Sequence, residues 1–257
     1  ISPGNHYHIS SKIASGADAI VLDVKTGSGA FMKTLEGARE LAEIMVQIGK
    51  EVGVKTVAVI TNMDQPLGHE VGNFNEVREI IEVLKGNGCQ DEVEVALAIA
   101  SHMAVLGGAF SDFDAAHEEL SAMLASGNVL KKFLELVEAQ GGDPGFINNI
   151  DSIHEPEYNI EIKSKAQGYV NSIMAEDIGK AAMLRGAGRK TKEDSIDFSA
   201  GINIVKKVGD KVMQDETLCI LHTNIFENQD ACKTAEAAFR ILENPPEDKK
   251  YVYQVIV

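Results

Sequence analysis

Between Ala19 and Thr61 the hydrophobic period of the chain changes twice, and this constrains the fold more than any other feature. Ala19–Val24 reads Ala-Ile-Val-Leu-Asp-Val, a short β-branched run of the kind shown by parallel strands buried on both faces. A glycine-rich loop follows, Lys25-Thr26-Gly27-Ser28-Gly29-Ala30-Phe31. After Thr34, suited to cap a helix, the apolar residues Leu35, Ala38, Leu41, Ile44, Met45 and Ile48 recur at helical spacing until Gly53 supplies a stop. Thr56–Thr61 is a second buried strand. Strand, loop, amphipathic helix and strand form a βαβ unit, which predicts parallel strands, a right-handed crossover and α/β architecture.

Downstream, Asn73-Phe74-Asn75-Glu76 reads as a capping box, with Asn73 accepting from a first-turn N–H and Glu76 reaching back to the cap. A helix is predicted from there to Leu84, then three more at 92–106, 112–125 and 129–138, closed by Gly141-Gly142-Asp143-Pro144-Gly145. From Glu155-Pro156 the pattern turns strand-like, with runs at Ile160–Ile162, Gly168–Ile173, Ser195–Ile204, Lys211–Met213 and Thr217–His222. A β-rich part over 157–224 is therefore expected, then a helix at Gln229–Leu242 and an end strand at Tyr251–Val257. The fold class this predicts is α/β, a mixed sheet with flanking helices followed by a small β-rich subdomain.

Charge narrows the function. The chain of 257 residues carries 24 Lys plus Arg against 39 Asp plus Glu, a net charge of −15, with no basic cluster to meet nucleic acid or an anionic membrane. No apolar run approaches the ~20 residues that span a bilayer, so a soluble protein is expected. Cys89, Cys219 and Cys232 are odd in number and lack CxxC spacing, which speaks against a disulfide framework or a thiolate zinc site and for a cytoplasmic location. Residues 1–12 have no signal-peptide pattern, and a front beginning at Ile1 reads as truncated.

The local motifs leave alternatives open. Gly27-Ser28-Gly29 is either an anion cradle beside a helix N-terminus or a tight turn that needs small residues. It lacks the third glycine of a dinucleotide fingerprint and is not a P-loop. Lys25-Thr26-Gly27 matches an element of penicillin-recognising serine enzymes, but no Ser-x-x-Lys accompanies it. None of the seven histidines sits in a metal-ligand spacing. Val205–His222 has the pattern of a biotinyl or lipoyl half-barrel without a lysine on a hairpin tip, and so reads as a β module without a prosthetic group.

Taken together, several segments resemble the pyrimidine-nucleoside and thymidine phosphorylases. The stretch from Ser11-Lys12 through Asp23-Val24-Lys25-Thr26-Gly27-Ser28-Gly29-Ala30-Phe31-Met32 is similar to their signature. The similarity continues through Asn62-Met63-Asp64-Gln65-Pro66-Leu67-Gly68, Val71-Gly72-Asn73, Asp177-Ile178-Gly179, Gly186-Ala187-Gly188-Arg189, Asp194, Ile196-Asp197, Gly209-Asp210 and Val212. The resemblance covers about Lys12 to Val257. It implies a large α/β domain with a helical insertion over 17–155, a C-terminal hybrid-barrel subdomain over 156–257, and a remnant of a helical-domain segment over 1–16. It also implies phosphorolysis: a phosphate oxygen attacks C1′ of uridine or thymidine, and the base leaves from an oxocarbenium-like centre, yielding free pyrimidine and a (deoxy)ribose 1-phosphate. Such chemistry needs a cationic phosphate cradle and donors to the leaving pyrimidine.

The resemblance carries over some site residues and not others. The family's phosphate cradle and base-contacting arginine lie N-terminal to the matched stretch, so no catalytic residue is assigned here. Lys12 fits the second lysine of a Ser-Ile-Met-Ser-Lys-Lys helix, which puts Ser11 where the base-contacting lysine stands and Tyr7 at the serine. Residues 1–10 do not resemble the family, a break that points to a shifted reading frame or a junction rather than divergence. Phe31 and Met32 match the hydrophobic wall beside the pyrimidine; the local alternative for Phe31 is a core aromatic over a glycine turn. A site for K+ or another hard cation maps to the carbonyls of Leu67 and Glu70 and the carboxylate of Glu79, with the Glu70 side chain incidental; alternatively Glu79 is a solvated helix carboxylate. The expected partners are a pyrimidine nucleoside, phosphate and a second copy in a homodimer, without an organic cofactor. The competing readings are an inactive scaffold or half of a split enzyme, and a related phosphoribosyltransferase, against which the 157–224 module speaks.

Overall fold

A computed structural model of the chain describes residues 16–189, 191–225, 229–247 and 250–257. Its elements in chain order are β1 (Ala19–Thr26), α1 (Leu35–Glu51), β2 (Lys55–Asn62), β3 (Glu70–Gly72), α2 (Phe74–Leu84), α3 (Gln90–Leu106), α4 (Phe113–Ala125) and α5 (Asn128–Ala139). A 3₁₀ segment (Pro144–Ser152) leads to β4 (Tyr158–Lys163), β5 (Gly168–Ile173), α6 (Ala175–Ala182), a π turn (Met183–Ala187), β6 (Gly201–Ile204), β7 (Lys211–Val212), β8 (Thr217–Thr223), α7 (Gln229–Ala237), β9 (Phe239–Leu242) and β10 (Val252–Ile256). These fall into two compact units, one ending its first segment at Met63 and including Asp91–Met123 and Lys250–Val257, the other made of Asp64–Gln90 and Leu124–Lys249.

The first unit holds the expected βαβ. β1 and β2 pair in parallel from Ala19↔Lys55 to Thr26↔Asn62, and β10 adds antiparallel to β2, so the sheet is mixed with order β1-β2-β10. The last strand, expected with the β-rich part, belongs here instead. Thr34 caps α1 by accepting from the Gly37 N–H at 3.2 Å. At the other end Gly53 takes φ +77°, its N–H donating to the Lys50 carbonyl while that of Val54 donates to Gly49, a Schellman closure. Ala38, Ala42, Met45 and Val46 of α1 pack on Ile20, Leu22, Val24, Ala58 and Ile60. β2 is buried along Thr56–Thr61, as expected of a central strand, but β1 is not buried on both faces. β1 is an edge strand whose burial alternates, leaving Asp23 exposed and Lys25 half-buried on its open face.

The second unit contains a four-stranded antiparallel sheet, β3-β6-β8-β4, and a three-stranded one, β7-β5-β9. Ile202, Ile204, Leu218 and Leu221 from the first, Val170, Ile173 and Val212 from the second, and Ile178, Ala182, Ala231 and Ala235 of α6 and α7 share one core. Several expectations are corrected. Only Gly201–Ile204 of the run from Ser195 is a strand, because the Asp197 carboxylate accepts from the Ser199 N–H and hydroxyl and turns the backbone there. The helix at Gln229 ends at Ala237, and Phe239–Leu242 pairs with β5, a tertiary contact overriding the helical period. α6 was hidden by its shortness. Asn73 stands at the start of α2, but its amide donates to the Ala187 carbonyl at 2.7 Å, and Glu76 accepts from the Gly72 N–H at 2.8 Å. Neither hydrogen bond of the expected capping box is made: the Asn73 side chain is turned to Ala187, and Glu76 reaches one residue past the cap.

Candidate functional site

The glycine loop at the C-terminal end of β1 is a braced turn. The N–H of Gly27 donates to the Met32 carbonyl at 3.0 Å, that of Gly29 to Met63 at 2.9 Å and that of Ala30 to Gly27 at 3.1 Å, while Lys33 Nζ donates to the Ser28 carbonyl at 2.8 Å. With those three amides taken, the anion-cradle reading gives way to the turn. What the turn presents is apolar. Phe31 is 76% exposed, so it is not a core aromatic, while Met32 is half-buried against the α1 core. On the open face of β1 the Lys25 ammonium lies 2.6 Å from the Asp23 carboxylate and donates to the Thr61 hydroxyl at 3.1 Å, and that hydroxyl donates to Asp23 at 2.5 Å.

The second unit carries an acidic cleft of about 580 Å³, lined by His69, Glu70, Arg78, Glu79, Asn203 and His222 among others. The loop before β3 leads into two of its lining residues, His69 and Glu70. Lys207 Nζ donates to the carbonyls of Pro66 and Gly68, each at 2.6 Å, and the Val208 N–H donates to Gln65 Oε1 at 3.0 Å. Glu79, on α2, closes the loop from the other side, accepting from the N–H groups of His69 at 2.6 Å and Glu70 at 3.0 Å. Glu70's carboxylate is not incidental, because Asn75 and Asn203 donate their amides to it at 2.8 and 2.7 Å and so tie α2 and β6 to β3.

Electrostatically the cleft holds more negative charge than its donors offset. Burial pushes the Glu79 carboxyl above its usual 4.5, against the pull of the His69 and Glu70 amides, and the nearby Glu70 charge pushes it the same way. Glu76 is raised too, first by burial and then by Glu79 and Glu70. His222 is lowered by burial and by Arg78. An oxygen-rich, partly desolvated cluster of carboxylates is the donor set that a hard cation takes.

The comparisons with known proteins agree with this fold. The family model described as "Glycosyl transferase family, a/b domain" matches residues 8–130, and that described as "Pyrimidine nucleoside phosphorylase C-terminal domain" matches 169–242, from β5 to β9. The pyrimidine-nucleoside phosphorylases of Staphylococcus aureus strains USA300, NCTC 8325 / PS 47 and bovine RF122 / ET3-1 are each 46% identical over 236 residues, covering 92% of this chain and 54% of theirs. The chain belongs to the pyrimidine-nucleoside phosphorylase family. It spans about half the length of these curated relatives.

Within this phosphorylase-family chain, the residues singled out from sequence fall in two places. Phe31 and Met32 stand together on the turn after β1; Leu67 lies on the loop before β3, Glu70 opens β3, and Glu79 on α2 accepts from the Glu70 N–H. Ser11, with Lys12 and Tyr7, lies outside the described residues. Sequence reasoning missed Lys207, Asn75 and Asn203. Lys207 adjoins the Gly209-Asp210 motif, a flag that marks a turn without naming what the lysine grips.

Proposed function

We propose that this chain serves the reversible phosphorolysis of pyrimidine nucleosides. A phosphate oxygen bonds to C1′ of uridine or thymidine, the C1′–N1 bond breaks, and free base and (deoxy)ribose 1-phosphate result. The observation that carries the reading is Phe31, an aromatic ring 76% exposed on a turn held by three backbone hydrogen bonds. An uncovered ring on a braced turn is a platform for a flat heterocycle. The 169–242 match favours phosphorolysis over transfer of a phosphoribosyl group from its diphosphate.

In the same reading the carbonyls of Leu67 and Glu70 and the carboxylate of Glu79 hold K+ or a similar hard cation. Bound there, the cation supplies neutralisation of the carboxylate cluster rather than bond-making. Glu79 then links α2 to the loop before β3, while Lys207 keeps the carbonyls of Pro66 and Gly68 fixed. A homodimer and a cytoplasmic location complete the proposal; among the described residues no helix is long and apolar enough to cross a membrane.

The test is release of free base from uridine or thymidine with inorganic phosphate, followed by chromatography, for the chain alone and with the unmatched portion of the Staphylococcus aureus relative supplied in trans. Phosphate-dependent release in either arm supports the proposal. No release in both makes the chain an inactive scaffold.

A further inference from the structure

The three free cysteines sit in three different electrostatic settings. Cys219, on β8, has no exposed surface, and burial, with neighbouring Cys232 second, pushes its thiol up to about 12. Cys89 lies with its sulfur 4.0 Å from a Glu79 carboxylate oxygen. Cys232, half-buried on α7, faces a cation instead: Arg185 Nη2 donates to its sulfur at 2.8 Å.

Arg185 is itself unusual. It is 1% exposed, its Nη1 donates to the Ile225 carbonyl at 2.8 Å, and its Nε has no partner. Among the described residues no carboxylate forms an ion pair with it. A guanidinium stays charged wherever it is placed, and a buried charge calls for an opposite one. The polarisable sulfur is the group the fold brings to it. A fixed cationic donor beside a reacting sulfur stabilises the negative charge that develops on the leaving group of an attack there.

We infer that Cys232 is a modification site for peroxides, activated by the buried guanidinium of Arg185. The sulfur attacks one peroxide oxygen, an S–O bond forms as the O–O bond breaks, and the departing hydroxide takes the thiol proton as water. Sulfur is oxidised by two electrons to a sulfenic acid and the peroxide is reduced. This inference is independent of the phosphorolysis reading.

The experiment treats the folded chain with limiting iodoacetamide and, separately, with hydrogen peroxide followed by dimedone, and quantifies each cysteine by peptide mass spectrometry. Cys232 is expected to react about tenfold faster than Cys89, with Cys219 unreacted until the chain unfolds. Arg185→Met is expected to bring Cys232 to within about twofold of Cys89, and Arg185→Lys to keep part of the advantage. Where Arg185→Met does not fold, the parent chain is compared with itself in guanidinium chloride. Burial alone slows a thiol, so faster reaction of Cys232 in the folded state supports activation. Earlier labelling of Cys89, slower reaction of folded than unfolded Cys232, or an unchanged rate in a folded Arg185→Met protein would overturn the inference.

Discussion

Single side chains divide here into those that sequence patterns point to and those only the fold reveals. Phe31 is reached through the family resemblance, its local pattern allowing a core aromatic over the glycine turn, and only the fold shows the ring exposed. Its exposure gives a prediction: Phe31→Ala raises KM for the nucleoside about tenfold, the loss of one stacked ring, and leaves the melting temperature unchanged. Steady-state kinetics and a thermal melt check both halves. Glu79 gives a second. Its folded carboxyl is raised above 4.5, so its contribution to stability is complete below that value and is lost as pH rises through the folded one. A cation that binds the charged form therefore stabilises the chain more at pH 7 than at pH 5. Melts in potassium chloride and in choline chloride at both pH values, expected to differ more at the higher one, test this; equal curves at both would remove the cation from the account. Glu79's role was readable only through family resemblance. The partners that make it structural, the amides of His69 and Glu70, are set by a loop that no local pattern describes.

At the level of elements, α1 was legible in detail because its signals are local: a threonine cap, apolar residues at helical spacing and a glycine stop. Two of its glycines separate conformational from steric demand. Gly53 has φ +77° and open space around a Cβ, so Gly53→Ala costs about 1 kcal/mol from backbone strain alone. Gly49 has no such φ, but a Cβ there would lie 2.1 Å from Thr56 Oγ1, so Gly49→Ala forces α1 away from β2 and costs roughly 2–3 kcal/mol. Denaturant titration of both variants checks the distinction, with Gly49→Ala/Thr56→Ala recovering only part of the larger loss, because the Thr56 Cβ would still lie 2.7 Å from the added one. Misread elements share a different cause. The run from Ser195 and the end of the Gln229 helix have sequence periods that a long-range partner overrides, Asn224 donating to the turn-forming Asp197 and β5 pairing with Phe239–Leu242.

For the whole molecule, the α/β class and the β-rich second part follow from where the period changes, but the return of the chain end does not. β10 pairs with Ala58–Thr61 of β2, and Tyr253 and Ile256 pack on the α1 core. No local pattern can announce a partner so distant in sequence. Deleting residues 250–257 turns a fully buried central strand into an exposed edge, and the truncated chain is expected to lose its cooperative melt and to aggregate in sedimentation runs. The central claim is that a chain of this fold serves phosphate attack at a nucleoside C1′. The most direct test is ³¹P NMR of the chain, with the unmatched portion of its relative present, in uridine and inorganic phosphate. The account predicts a new phosphomonoester signal rising one for one with free uracil. Uracil without the sugar phosphate, or neither product, would contradict it.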